Sequence, residues 1–138
     1  MATGTKFQQF TENLGKGVHD FTSDATCTLT VALMNSAPDA AADAVLADIT
    51  EISYTNLSSR VVTGVTSEHT AGVTTVTAND LTLTASGGAV AAFRYIVFYD
   101  DDPAGDPLIA YYDNGSSITL LNGETFLLNF STGLFTIT

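Results

Sequence analysis

Residues 93–112 place the strongest constraint on what this chain can fold into. The segment 93–100 (FRYIVFYD) and the segment 107–112 (PLIAYY) are apolar and rich in aromatic and β-branched residues. Between them lies the acidic segment 100–106, which contains Pro103 and Gly105. Apolar runs bounded by turn residues are typical of buried strands. We therefore predict two central antiparallel strands joined by an acidic turn.

The longest apolar run in the chain, residues 89–99, is predicted to be a central strand. Strict alternation assigns its side chains to two faces of the sheet. One face is predicted to hold Phe93, Tyr95, Val97 and Tyr99, and the other Arg94, Ile96 and Phe98.

Two Asn-Gly pairs follow, at 114–115 and 122–123. Asn-Gly favours the two-residue type I′ turn, in which both central residues have positive φ. These pairs predict a meander of strands over residues 107–112, 116–121, 124–130 and 133–138.

The first third of the chain predicts two short helices and one strand. Phe7, Phe10 and Leu14 recur at spacings of three and four, which indicates a helix over residues 5–16 that ends near Gly15 and Gly17. A proline followed by alanines predicts a second helix over 38–48. Between them, residues 25–35 alternate at period two and predict a half-buried strand, with Cys27 on its apolar face.

The remaining segments predict an all-β fold. Residues 60–63, 73–78 and 81–84 are Thr- and Val-rich short strands, and residues 53–59 form a loop. With 138 residues and 45% hydrophobic residues, the chain can bury one core. We predict a single domain over residues 1–138, mainly an antiparallel β-sandwich or barrel-like fold, with residues 1–22 as an N-terminal arm or docking helix.

Charge and hydropathy exclude several partners. The formal net charge is −11, from 15 acidic and 4 basic residues, so a phosphate backbone would be repelled. No apolar run approaches the roughly 20 residues needed to span a bilayer. Residues 1–10 lack the apolar region of a secretory signal. We expect no direct nucleic-acid binding, no membrane association and synthesis in the cytoplasm.

No catalytic or transition-metal motif is present in the sequence. His19 and His69 lack metal-ligand spacing, and Cys27 is interpreted as a small buried apolar side chain. The chain is therefore predicted to be no enzyme and to need no cofactor. The acidic segment 100–106 suggests a calcium loop as one alternative, but its spacing departs from the helix-loop-helix calcium pattern. A solvated hairpin loop is the favoured interpretation.

Arg94 lies on an otherwise apolar strand face and leaves two interpretations open. Its aliphatic stem packs along the sheet with the guanidinium at the edge. Alternatively, it forms an internal ion pair with a carboxylate, Asp113 or Glu124, that fixes strand order.

The order of motifs along the chain resembles a family of small proteins encoded among the virion structural genes of long-tailed phages and prophages. The likeness spans nearly the whole chain, although residues 53–59 lack the Gly-Tyr segment common in such sequences. The matching motifs are FTENLGKGVHDF at 10–21, SD at 23–24, LTVALMN at 29–35, LADITEI at 46–52, RYIVFY at 94–99, PLIAYYDNG at 107–115 and GETF at 123–126.

This resemblance implies a capsid-associated structural protein, a decoration or cement protein on the head exterior. The implied partners are the major capsid protein and further copies of the chain, as in a trimer. Phe7, Phe10 and Leu14 are predicted to form one such contact, with docking on the chain's own sheet as the alternative. A neck or tail component and a carbohydrate-binding attachment module, using Tyr54, Tyr111 and Tyr112, are the competing functions.

Overall fold

The computed structural model describes residues 4–22 and 28–138. Cys27 and the first two residues of the predicted strand 25–35 lie outside the described residues. The elements run in the order β1 Gly4–Lys6, α1 Gln8–Gly15, β2 Leu29–Met34, a 3₁₀ turn at Leu46–Asp48, β3 Thr66–Thr70, β4 Val73–Thr77, β5 Leu81–Thr84, β6 Phe93–Asp100, β7 Leu108–Ile118, β8 Thr125–Leu128 and β9 Phe135–Ile137.

The central hairpin is confirmed. β6 and β7 pair antiparallel across the acidic loop, and β2 and β1 extend them into a four-stranded sheet in the order β1-β7-β6-β2. β2 runs alongside β6 from Leu29 opposite Asp100 to Met34 opposite Tyr95. The all-β prediction with a short N-terminal helix is thus confirmed.

The predicted meander at the C-terminus is wrong. β8 pairs with β5 in a two-stranded sheet, and β9 pairs with β4, which also pairs with β3. The chain therefore leaves the central sheet after β7 and contributes its last two strands to two other sheets. Residues 60–63 form no strand; Val61 makes only an isolated bridge to Thr30 along the edge of β2.

Apolar side chains cover both faces of the four-stranded sheet. On one face, β2, β6 and β7 pack against Val76 of β4, Leu83 of β5 and Leu128 of β8, and we call this cluster the large core. The opposite face forms a small core, which consists of Phe7, Ala32, Met34, Ile49, Val97, Tyr99 and Leu108. The sheets pack as layers around the large core.

β2 differs from its predicted half-buried character. All six of its residues are buried, because Leu29, Val31 and Leu33 enter the large core while Ala32 and Met34 enter the small one. A similar correction applies to β6. A register shift between Phe93 and Tyr95 moves Phe93 into the large core with Ile96 and Phe98, away from its predicted face.

Neither Asn-Gly pair forms a type I′ turn. In each pair only the glycine has positive φ, +85° at Gly115 and +89° at Gly123. Residues 114–115 lie inside β7, in a bulge between the pairs Tyr95–Asp113 and Phe93–Ile118. Residues 122–123 do form a turn, closed by a 2.9 Å hydrogen bond from the Glu124 N–H to the Leu121 carbonyl.

The predicted helix over 38–48 is also wrong, apart from the 3₁₀ turn Leu46–Asp48. The side chain of Asp39 accepts hydrogen bonds from the N–H groups of Ala41 and Ala42, and Asp48 accepts from those of Ala44 and Val45. Local side-chain bonds of this kind compete with helical hydrogen bonds and favour turns.

The hairpin β3–β4, whose first strand the sequence patterns missed, does contain two successive residues with positive φ. Ala71 has φ of 51° and Gly72 has φ of 84°. Alanine is strained in this region, whereas asparagine tolerates it. Ala71→Asn is therefore expected to raise the free energy of unfolding by about 0.5–1 kcal/mol. Urea unfolding checks this, with the exposed Thr70→Asn as the matched control; a loss of stability in Ala71→Asn would contradict it.

Candidate functional site

The N-terminal segment is docked on the chain's own body. The Phe7 side chain is 0% exposed in the small core, and its ring centroid lies 5.5 Å from that of Tyr111. Phe10 enters the large core, 5.6 Å from Phe135, and Leu14 is half-buried beside it. This arrangement corresponds to the alternative in which the N-terminal segment docks on the chain's own sheet. An intermolecular contact through Phe7 or Phe10 would require the segment to leave the core.

A buried histidine–carboxylate pair fixes the end of this segment to the central hairpin. His19 Nδ1 and Asp100 Oδ2 lie 2.9 Å apart, and the two side chains are 0% and 1% exposed. The His19 ring stacks on Phe21 at a centroid distance of 5.5 Å, and Phe10 lies 5.3 Å away. Within the described residues, His19 Nε2 is buried without a hydrogen-bond partner.

This enclosure decides what the pair can do. A general base must reach its substrate by a hydrogen bond or through one water. The second ring nitrogen of His19 is buried with no hydrogen-bond partner among the described residues, and the ring packs against Phe10 and Phe21, so the pair serves to join two parts of the chain. Motif analysis missed it because 81 residues separate the partners. One signal was available: a carboxylate that ends an apolar central strand needs a buried partner.

The acidic segment 100–106 forms a hairpin loop held by main-chain bonds. The Asp100 N–H donates to the Pro107 carbonyl at 3.1 Å, and the Asp106 N–H donates to that of Pro103 at 3.1 Å. Asp102 accepts a hydrogen bond from the Thr28 N–H. Burial raises the pKa of Asp106, and the nearby carboxylates add to this effect. Among the described residues, no group of three His, Cys, Asp or Glu side chains could hold a metal ion.

Arg94 forms a bidentate ion pair across the β6–β7 bulge. Its Nε lies 2.7 Å from Asp113 Oδ1 and its second guanidinium nitrogen 2.9 Å from Oδ2. The partner is Asp113 and not Glu124, which accepts the Leu121 N–H. The pair is not internal, since the two side chains are 37% and 40% exposed. It holds the bulged part of β7 against β6 at the surface.

The Arg94–Asp113 pair makes a specific pH prediction. Arg94 and, second, the Gly115 N–H lower the pKa of Asp113 to about 2. The pKa of an aspartate in the unfolded chain is about 3.9. The pair therefore stabilises the fold above about pH 4, and this stabilisation is lost as the pH falls through about 2. Carboxyl NMR titration should give a midpoint near 2 for Asp113. In Arg94→Gln the midpoint should move towards about 3.9; an unchanged midpoint would contradict the assignment.

The three tyrosines considered for carbohydrate stacking are engaged within the fold. The Arg60 guanidinium lies 3.7 Å from the Tyr54 ring centroid, and the Tyr54 hydroxyl donates to Glu51 while it accepts the Leu33 N–H at 3.0 Å. Burial raises the pKa of Tyr54. Tyr111 packs against Phe7. These contacts anchor the loop 53–59 and the N-terminal segment.

Tyr112 links two sheets. Its ring lies against Gly4 of β1, where an added Cβ would approach Cε1 to 2.9 Å, and its hydroxyl donates to the Leu134 carbonyl. Burial raises the pKa of this phenol. Gly4 is therefore required by close approach, and Tyr112 sits below an opening between β1 and β9.

Three of the four basic residues are neutralised by intramolecular ion pairs. Lys16 pairs with Glu12, Arg60 with Glu51 and Arg94 with Asp113. Lys6 is the exception, with no ion pair to any described residue, and it lies exposed on β1.

Comparison with known protein families, with curated proteins and with solved structures finds no match. In the part of the chain that the structure describes, no helix has the length and apolar character needed to cross a membrane.

Proposed function

We propose that this chain is a non-enzymatic phage virion protein that decorates the head, binds the outer capsid surface and stabilises the shell. The observation that carries the proposal is the order of sequence motifs from residue 10 to residue 126, which resembles that of small virion structural proteins. No single motif is specific, but their succession covers most of the chain. The major capsid protein is the proposed partner, and self-association as a trimer is part of the proposal.

The contacts between ionisable side chains support a scaffolding role. His19–Asp100 joins the N-terminal segment to the central hairpin, and Arg94–Asp113 joins β6 to β7. The first pair connects segments that are far apart in sequence, and the second connects adjacent strands. The buried imidazole of His19 packs against Phe10 and Phe21. A shell-stabilising protein needs such a stiff body, because symmetric multivalent attachment gains avidity only when the contacts engage together.

The acidic surface is compatible with this role. A net charge of −11 keeps free copies apart in solution and opposes contact with packaged nucleic acid. Attachment would then use apolar or main-chain contacts, or a basic patch on the shell.

Co-sedimentation tests the proposal. Purified protein is mixed with undecorated mature capsids of the encoding phage and pelleted, with the tail fraction of the same virions as the control. We expect stoichiometric binding to heads that saturates at a number set by shell symmetry. Binding to tails alone would assign a neck or tail role. Binding to neither, together with reproducible binding on a glycan array, would make the chain an attachment module and overturn the proposal.

A further inference from the structure

A groove runs between the edge strands β1 and β9, where the two main layers of the fold remain open. Three adjoining cavities of about 250, 240 and 110 Å³ form it. The first two share Gly4, Tyr112 and Thr136, and the last two share Lys6 and Thr136, so the groove is continuous. It passes from the Gly133 turn to helix α1.

Within residues 4–22 and 28–138, both walls of this groove offer main-chain groups without a main-chain hydrogen-bond partner. Ile109 accepts the Phe7 N–H at 3.0 Å, so the alternate residue Lys6 directs its N–H and carbonyl away from β7. On the other wall, the two-residue turn 71–72 makes Thr70 and Val73 a hydrogen-bonded pair, so by alternation Val76 directs its main-chain groups away from β3 and towards its partner Phe135 on β9. The next residue, Thr136, therefore directs its own main-chain groups away from β4.

Lys6 and Thr136 both line the two smaller cavities of the groove. An edge strand with free N–H and carbonyl groups is a template for a further strand. The groove floor is mixed: Tyr112, Leu134 and Phe135 contribute apolar surface, and polar groups contribute the rest. An extended chain lying here would bond to main chain on its sides and place alternate side chains on this floor.

The charge of the groove determines which kind of peptide segment it can bind. Among the residues that the structure describes, no acidic side chain lines any of the three cavities, although the molecule as a whole is strongly acidic. The single charged side chain that does is Lys6, which has no ion pair among the described residues. A neutral or acidic segment fits this surface, and a basic one is disfavoured.

We propose that the groove between β1 and β9 binds an extended segment of a partner protein by strand addition, and that this segment alternates apolar and polar residues and carries neutral or negative charge. Such a groove would supply an attachment contact wherever in a virion the protein resides.

The test is an NMR titration of the ¹⁵N-labelled full chain. The probe is acetyl-Thr-Val-Thr-Val-Asp-Val-Thr-amide, and the control peptide has Lys in place of Asp. We expect saturable shifts centred on the Lys6 and Thr136 amides, with the acidic peptide binding several-fold more tightly. Thr136→Pro removes the groove-facing N–H without touching the β4 ladder and should weaken binding about tenfold, the equivalent of one ladder hydrogen bond.

A second variant keeps the test decisive if the proline substitution prevents folding. Lys6 is exposed, so Lys6→Glu should leave the fold intact. This variant should reverse the preference for the acidic peptide, so that the basic peptide binds more tightly. Absence of shifts at both amides with either peptide at millimolar concentration would overturn the proposal. Concentration-dependent shifts at the same amides without peptide would assign the groove to a second copy of this chain, which also overturns it.

Discussion

Deletion of residues 1–17 is expected to abolish cooperative folding. The deletion removes Phe7 and Phe10, which are 0% and 4% exposed and belong to different cores, together with the edge strand β1. Loss of one buried Phe side chain costs about 3–5 kcal/mol, so two such losses approach the about 5–15 kcal/mol that stabilises a typical domain. Urea unfolding followed by near-UV circular dichroism measures the result.

Point variants separate the contributions within this segment. Phe7→Ala and Phe10→Ala should each lower the free energy of unfolding by about 3–5 kcal/mol, whereas the half-buried Leu14→Ala should lose less than either. Thr11→Ala, on the exposed side of α1, is the matched control. A truncated protein that unfolds cooperatively at the wild-type urea concentration would show that the segment is an independent arm. That result would favour the alternative in which Phe7 and Phe10 contact the capsid.

Local patterns predicted the parts of the fold that local physics determines. The β6–β7 hairpin follows from two apolar runs and an intervening acidic turn. The helix predicted over 5–16 is confirmed only as α1 Gln8–Gly15, because residues 5–6 belong to β1 and Phe7, which is extended, enters a different core from Phe10. For Arg94 the sequence left open a packed stem and an internal ion pair with Asp113 or Glu124. The structure shows a surface pair with Asp113, which the adjacent hairpin strand brings close to Arg94. Where pattern and contact coincide, the interacting residues are close in sequence.

Other features depend on contacts that no local pattern encodes. β8 and β9 have ordinary strand sequences, and their pairing with β5 and β4 is decided by packing around the large core. The alanine-rich stretch 38–48 favours a helix by propensity, but aspartate side chains bond to its main chain and stop it. His19 and Asp100 meet only after the N-terminal segment docks. The groove was likewise invisible, since β1 and β9 lie at opposite ends of the chain.

His19→Leu is expected to lower the free energy of unfolding by about 3–5 kcal/mol, because it strands a carboxylate in the core. The Asp100 side chain is 1% exposed, and its remaining hydrogen bond, from the Asp102 N–H, is long at 3.3 Å. Leucine fills much of the imidazole volume among Phe10 and Phe21, so the loss reports the missing partner and not a cavity. Urea unfolding of the variant measures it, with His69→Leu, which loses only an exposed hydrogen bond from the Gly72 N–H, as the histidine control.

A double-mutant cycle distinguishes a specific pair from general packing. His19→Leu combined with Asp100→Leu removes both polar groups, so it should be more stable than His19→Leu alone. Asp100→Asn retains an acceptor for the Nδ1–H group and should cost less than Asp100→Ala. Additive losses in the double variant, or a loss below about 1 kcal/mol in His19→Leu, would contradict the buried pair as the fastening of the N-terminal segment. The expected coupling energy would show that docking of the N-terminal segment and formation of the β6–β7 hairpin stabilise each other through this pair.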